Sequence, residues 1–171
     1  MTLSTRRTAL ALLASAAIPL GVMSRASAQA AAGLRLRSIA IDTSRLAALG
    51  NPVGADAVRQ ALGRDLRQVF GDLIAPRGAN GATLLVRISS LSLSSYVGTR
   101  SFGRRNGGNN MDYLEGVGIV STDGRTVSET PILSALDAGY SGAWYLPNID
   151  EMRVASISYH FAYWLRREMG V

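Results

Sequence analysis

The chain reads as an α+β protein. The expected architecture is a two-layer sandwich, a mostly antiparallel sheet of about four strands with two helices packed on one face. Three observations predict it. Apolar and polar residues alternate in short runs between Leu34 and Asp42 and again between Ala82 and Thr130. Asp123-Gly124, flanked by strand residues, is the strongest hairpin signal in the chain. Two other stretches, one after Asp56 and one after Asn148, instead repeat apolar residues at helical spacing. Strand, helix, three or four strands, helix is the order of a sheet covered by helices on one side.

The first 30 residues stand outside that pattern. Met1 to Arg7 is short and basic, Ala9 to Val22 is apolar, and Ala26-Ser27-Ala28 and Ala28-Gln29-Ala30 offer small-x-small cleavage sites. These are the parts of a bacterial export signal. The apolar run is shorter than the roughly 20 residues of a membrane span, so a cleaved leader is expected rather than an anchor. Ser4-Thr5-Arg6-Arg7-Thr8-Ala9-Leu10 resembles a twin-arginine motif, with Ala9 where that motif prefers a bulkier residue. A general secretory signal is the alternative. The expected organisation is a leader at 1–30 and a single domain at 31–171, with the mature protein in the periplasm of a Gram-negative bacterium and no transmembrane span.

Charge and cysteine usage bound the function. Of the 18 basic residues, all Arg, Arg6, Arg7 and Arg25 lie in the leader, so the mature chain carries 15 Arg against 12 acidic residues, a net charge of +3. That balance, together with export, argues against nucleic-acid binding. It suits a partner with anionic groups, an envelope protein or an anionic envelope lipid or polymer. With no Cys in the chain, disulfides, thiolate chemistry and lipidation at an N-terminal Cys are not available.

Leu34 to Asp42 is the first strand, and the apolar phase shifts between Leu36 and Ile39, which predicts a bulge near Ser38. Leu49 to Gly54 is read as a loop. Asp56 is then the expected N-cap of an amphipathic helix whose buried face holds Val58, Ala61, Leu62, Leu66, Val69, Phe70, Leu73 and Ile74. Pro76, Gly78 and Gly81 end it. Ala82 to Val97 is the second strand, and its phase flips at Ser89-Ser90, where a bulge would return Leu91 and Leu93 to the core. Ser90, Ser92, Ser94 and Ser95 are expected on a solvated face.

Gly98 to Asn110 joins this strand to the next with four Gly, three Asn, three Arg and one aromatic residue. Glycine lets backbone N–H groups converge on an anion, and Arg100, Arg104 and Arg105 add charge beside Phe102. A phosphate or sugar-acid group is the ligand such a loop suits. The same composition also describes a solvated hairpin tip.

Tyr113 to Val120 returns as the third strand, with Gly116 and Gly118 leaving one face bare for a large side chain, Trp164 being one candidate. Thr126 to Thr130 is the fourth strand. Pro131 places it at a sheet edge or breaks it, with Ile132 to Leu136 as a possible continuation. Ala138 to Pro147 is an aromatic loop, in which Tyr140, Trp144 and Tyr145 form either a recognition surface or a lid over the core. Gly139-Tyr140-Ser141-Gly142 lacks the last Gly of a hydrolase elbow, Ala143 standing there.

Asn148 and Glu151 form the expected cap of the last helix. Val154, Ile157, Phe161, Trp164 and Leu165 make one apolar stripe, Met152, Ala155, Tyr159, Ala162 and Tyr163 a second, so the helix is expected to be well buried. Arg166 and Arg167 suit its C-terminal end and Gly170 its stop. His160, the single histidine, stands among these residues. One His without Cys predicts no metal site, and no cofactor motif is present. His160 at the core edge, hydrogen-bonded or solvated, is the expected reading, and the count leaves open a catalytic pairing of His160 with a Ser, Asp or Glu brought near by folding.

The order of elements and the hairpin resemble the small lipopolysaccharide-assembly lipoprotein family, whose members seat inside an outer-membrane barrel. The resemblance spans Leu34 to Met169 and implies the α+β sandwich and an accessory role in the envelope. This chain departs from the family in lacking the lipidated Cys, and no functional residue carries over. The expected function is an exported, non-enzymatic periplasmic binding protein acting through the 98–110 loop. The alternative is a small periplasmic hydrolase or ligand-binding enzyme using His160.

Overall fold

The computed structural model describes residues 33–95 and 110–171. In chain order these form β1 (Leu36–Asp42), α1 (Ser44–Ala48), α2 (Pro52–Val69), β2 (Ala82–Ser92), β3 (Met111–Thr122), β4 (Arg125–Asp137) and α3 (Ile149–Met169). Short 3₁₀ turns follow α2 at Gly71–Leu73 and β4 at Ala138–Ser141. The strands lie side by side in the order β1-β2-β3-β4. β1 and β2 are parallel, as a helical crossover between them requires, and the other pairs are antiparallel. α2 and α3 pack on one face, giving the α+β arrangement expected from the pattern.

Both predicted bulges are present. The β1–β2 register slips between Leu36 and Ser38. The β2–β3 register slips between Ile88 and Ser90, opposite Gly116 and Glu115. With Ser89 as the extra residue, Leu84, Val86 and Ile88 are fully buried and Leu91 still packs against the same core. β2 ends at Ser92, short of the expected Val97. Asp123 (φ 52°) and Gly124 (φ 75°) make the tight turn between β3 and β4, both with the positive φ of a type I′ hairpin. β4 runs through Pro131 without breaking, and it is an edge strand.

The bare face of β3 is filled by Leu165 rather than Trp164. A Cβ on Gly118 would lie 2.6 Å from Leu165 Cδ1, and one on Gly116 would lie 2.6 Å from the Arg87 carbonyl oxygen. The two glycines thus let α3 and β2 approach β3 closely. Tyr113, Val117 and Ile119 point to the opposite face of the sheet, over which no described helix packs.

The start of the first long helix differs from expectation. α2 begins at Pro52, and its N-cap is Asn51, whose Oδ1 accepts from Gly54 N–H at 2.9 Å. Pro52 has no N–H to satisfy there, and a Cβ at Gly54 would collide with the Asn51 side chain at 2.4 Å. Asp56 lies one turn inside and pairs instead with Arg59 at 2.8 Å. The five-residue α1 has no counterpart in the sequence pattern. It is too short for a periodic signal and contributes one buried side chain, Leu46.

On α3 Val154, Ile157, Phe161 and Leu165 of the first stripe are buried as expected, and Trp164 is partly buried against the same core. The second stripe divides: Ala162 is fully buried and Ala155 half-buried, whereas Met152, Tyr159 and Tyr163 are exposed. Asn148 occupies the N-cap position without a side-chain cap bond, and Gly170 closes the helix in the left-handed conformation at φ 73°.

Candidate functional site

β2, β3, β4 and α3 all present an end at one edge of the sandwich, where the 98–110 loop is rooted. Ser94, just past β2, is held there by three bonds. Its N–H donates to Asp112 Oδ1 at 2.9 Å, its hydroxyl donates to Asn110 Oδ1 at 3.0 Å, and its carbonyl accepts from Arg153 Nη2 at 2.7 Å. Arg153, in the first turns of α3, forks onto Asp112 through Nε at 2.8 Å and through Nη2. Its Nη1 also reaches Asp150 at 3.1 Å. Arg153 and Asp112 are each 2% exposed. A bidentate guanidinium–carboxylate pair with further hydrogen bonds is the geometry that offsets the desolvation of two buried charges. It clamps the roots of the loop to α3. The pattern of β2 puts Ser94 on a solvated face, which this clamp overrides, and neither Arg153 nor Asp112 stands out in the sequence.

The aromatic segment adjoins this clamp. Ala138 N–H donates to the Asn110 carbonyl at 2.8 Å, which joins the end of β4 to the root of the loop. From there the chain turns through 3₁₀ geometry, with Asp137 Oδ1 accepting from Gly139 N–H at 2.7 Å. Tyr140 is 74% exposed, Trp144 60% and Tyr145 71%. Trp144 and Tyr145 meet edge to face at 5.9 Å. Of the two readings of this segment, the rings do not form a lid over the core, since most of each ring is in solvent. Arg100, Phe102, Arg104 and Arg105 lie outside the described residues. Ser141 is buried in the 3₁₀ turn, a poor position for a nucleophile.

Beside the aromatic segment is an open cleft of about 380 Å³, lined by Leu136, Tyr140, Ser156, Tyr159, His160 and Tyr163. Its walls come from the end of β4, the 3₁₀ turn after it and α3. Tyr159 and Tyr163 are about half exposed. The helical repeat puts both in a buried stripe. The signal that could have found them is chemical: a tyrosine keeps a polar tip that favours water.

His160 lines the cleft and is neither isolated nor fully solvated. Its Nε2 accepts from Trp164 Nε1–H at 2.8 Å, and its Nδ1 lies 2.7 Å from Ser134 Oγ. An indole nitrogen can only donate. Nε2 is therefore the bare nitrogen, and in the neutral ring the proton sits on Nδ1 and is donated to Ser134. Burial lowers the His160 pKa, which favours that neutral ring. Trp164 in turn carries the Arg167 guanidinium over its face, 4.6 Å from the ring centroid. Ser134 is 2% exposed. For the ring to act as a base toward Ser134, Nδ1 would have to be unprotonated, the opposite of the state that the Trp164 bond holds.

Among the described residues no group of three or more His, Asp or Glu is placed to hold a metal ion. No helix among them is long and apolar enough to cross a membrane.

No family model matches the chain, and no curated protein matches it. Among solved structures, a crystal structure of an uncharacterized protein is similar over 64% of this chain, with 18% identity and a TM-score of 0.38. The match spans 60% of that other chain. At this level the likeness bears on neither the fold nor the function.

Proposed function

We propose that this is an exported accessory protein of the bacterial envelope that binds its partner at the end of the sandwich where the 98–110 loop and the aromatic segment are rooted together. The observation that supports this reading is the bond from Ala138 N–H to the Asn110 carbonyl, which joins the start of the segment bearing the exposed Tyr140, Trp144 and Tyr145 to the described root of the 98–110 loop. Large amphipathic rings and arginines are the residue types enriched at binding hot spots. The buried Arg153–Asp112 clamp keeps the roots of both segments in one arrangement, so less order has to be gained on binding. The partner is an envelope protein or an anionic envelope lipid or polymer. The leader supports the envelope placement, and the element order supports a role like that of the lipopolysaccharide-assembly lipoproteins, without their lipid anchor. The hydrolase reading has a Ser–His pair but the wrong tautomer for it.

Photocrosslinking in the cell tests the proposal, with the photoreactive residue placed at Phe102, at Tyr145 and, as a control, at the exposed Gln60 of α2. An adduct with one envelope component from both Phe102 and Tyr145, absent from Gln60 and lost when Arg100, Arg104 and Arg105 become Ala, is the expected result. Labelling no stronger at Phe102 and Tyr145 than at Gln60 would sink it.

A further inference from the structure

The two edges of the sheet are treated differently. β1 is partly covered, since Leu36 bridges to Ile74 and its carbonyl accepts from Ala75 N–H at 2.9 Å. β4 pairs only with β3 among the described residues. Open edges are normally blunted by charge or proline. On β4 those devices are missing between Pro131 and Asp137. The first half carries Arg125, Glu129 and Pro131, whereas Ile132-Leu133-Ser134-Ala135-Leu136 has neither charge nor proline. Leu133 is 67% exposed there.

The backbone of this half faces outward at useful places. Pro131 stands opposite Val117 in the part of the ladder that keeps one register, from Met111 opposite Asp137 to Val120 opposite Ser128. A proline is accommodated in a strand where its nitrogen faces away from the partner. By the alternation of an antiparallel ladder, the N–H and C=O groups of Leu133 and Ala135 then also face outward.

We infer that β4 pairs antiparallel with β4 of a second copy of this chain, about a two-fold axis at Ser134. A two-fold interface needs one patch complementary to itself, and this pentapeptide is. Pairing centred on Ser134 sets Leu133 opposite Ala135 of the second copy, a large side chain against a small one, with their outward backbone groups in register. On the inner face Ile132 meets Leu136. Asp137 falls opposite Pro131, so no like charges are opposed. The two four-stranded sheets become one continuous sheet. Leu136, the last residue of this pentapeptide, also lines the cleft together with the half-exposed Tyr159 and Tyr163. The pairing is independent of the partner proposed at the loop end, and either can fail alone.

Sedimentation equilibrium of the purified protein over a range of concentrations tests it, with two double variants. One carries Leu133→Glu and Ala135→Glu, the other Leu133→Arg and Ala135→Arg. Wild type is expected to show twice the single-chain mass. Each double variant alone is expected to dissociate at least tenfold more readily, and their equimolar mixture to recover the two-chain mass through opposite charges. Amide hydrogen exchange on wild type gives a readout without mutation: Leu133 and Ala135 N–H become protected as concentration rises. A wild type that stays single-chain at every concentration overturns the inference. So does a dimer indifferent to both variants, and so does an edge that stays unprotected until a strand of another envelope protein is added.

Discussion

α3 is fastened at its two ends by the same chemical pair in opposite surroundings. Near its start Arg153 forks onto Asp112, both 2% exposed. At its end Arg166 forks onto Asp72 at 2.7 and 2.8 Å, with side chains 30% and 60% exposed. Each guanidinium reaches both oxygens of its carboxylate, Arg153 through Nε and Nη2 and Arg166 through Nη1 and Nη2, but the energetic meaning differs. In water the outer pair competes with hydration and salt. In the core the inner pair has no such competitor, so losing either partner strands a buried charge. The buried pair stands at the proposed binding end and the exposed pair at the far end. Burial therefore decides how much is lost when one partner of such a fork is removed, and here the buried fork stands at the end from which the loop departs.

The largest expected effect tests that contrast directly. Asp112→Asn or Arg153→Met should each cost about 3–5 kcal/mol in urea unfolding. Replacing both, with Asp112→Leu and Arg153→Met, should cost clearly less than the two singles added together, because no charge is left unpaired. Single variants that unfold at the wild-type midpoint would show that burial is not what distinguishes the two ends.

An apolar contact on the same helix supplies the next effect. Gly118→Ala would push a methyl group to within 2.6 Å of Leu165. The expected loss is about 1–3 kcal/mol, and a Leu165→Val background should show a smaller increment. Additive effects of the two changes would mean that Leu165 does not seat on that glycine.

Midway along α3, the His160 link should make stability depend on pH. Burial lowers the folded pKa below the ordinary 6.5. Between the folded value and 6.5 the unfolded chain therefore binds more protons, so stability rises with pH through that window. The contribution is fully present above 6.5 and is lost as pH falls through the folded pKa. Protonation also sets a second N–H against the Trp164 indole. Urea midpoints measured against pH should show this slope in wild type and a flatter one in His160→Gln. Imidazole nitrogen shifts above about pH 7, where the ring is neutral, should report the proton on Nδ1. A proton on Nε2 would remove the Trp164 bond from the description.

The smallest effect belongs to the outer pair. Arg166 bonds lower the Asp72 pKa, yet Asp72→Asn should move the urea midpoint less than any change above. That shift should shrink further as salt is raised. A salt-insensitive loss as large as that of Asp112→Asn would erase the contrast between the two ends.

Features that depend on near neighbours are legible in the residues. The phase flips at Leu36–Ile39 and Ser89-Ser90 mark bulges because the side-chain period of a strand is two, and one extra residue must appear where the apolar set changes face. Asp123-Gly124 specifies its turn because both residues tolerate positive φ. The first stripe of α3 follows from the helical repeat. Local capping is less legible: Asp56 has the right chemistry for a cap, and Asn51 has the right geometry through Pro52 and Gly54.

Which groups face each other across long stretches of chain is a matter of tertiary structure. Arg153 and Asp112 are 41 residues apart, and each alone has the composition of a surface charge. His160 acquires its tautomer from Trp164 one turn away, but its second partner, Ser134, comes from another strand. The exposure of Tyr159 and Tyr163 depends on where β4 stops covering α3, because a periodic stripe shows which residues share a face and not how far the neighbouring layer reaches. The strands, the bulges, the hairpin and the long helices were written in the residue order, since backbone sterics and side-chain period act over a few residues. Burial, charge pairing and the joining of the loop root to the aromatic segment arise only when distant segments exclude water together, and no local pattern encodes that.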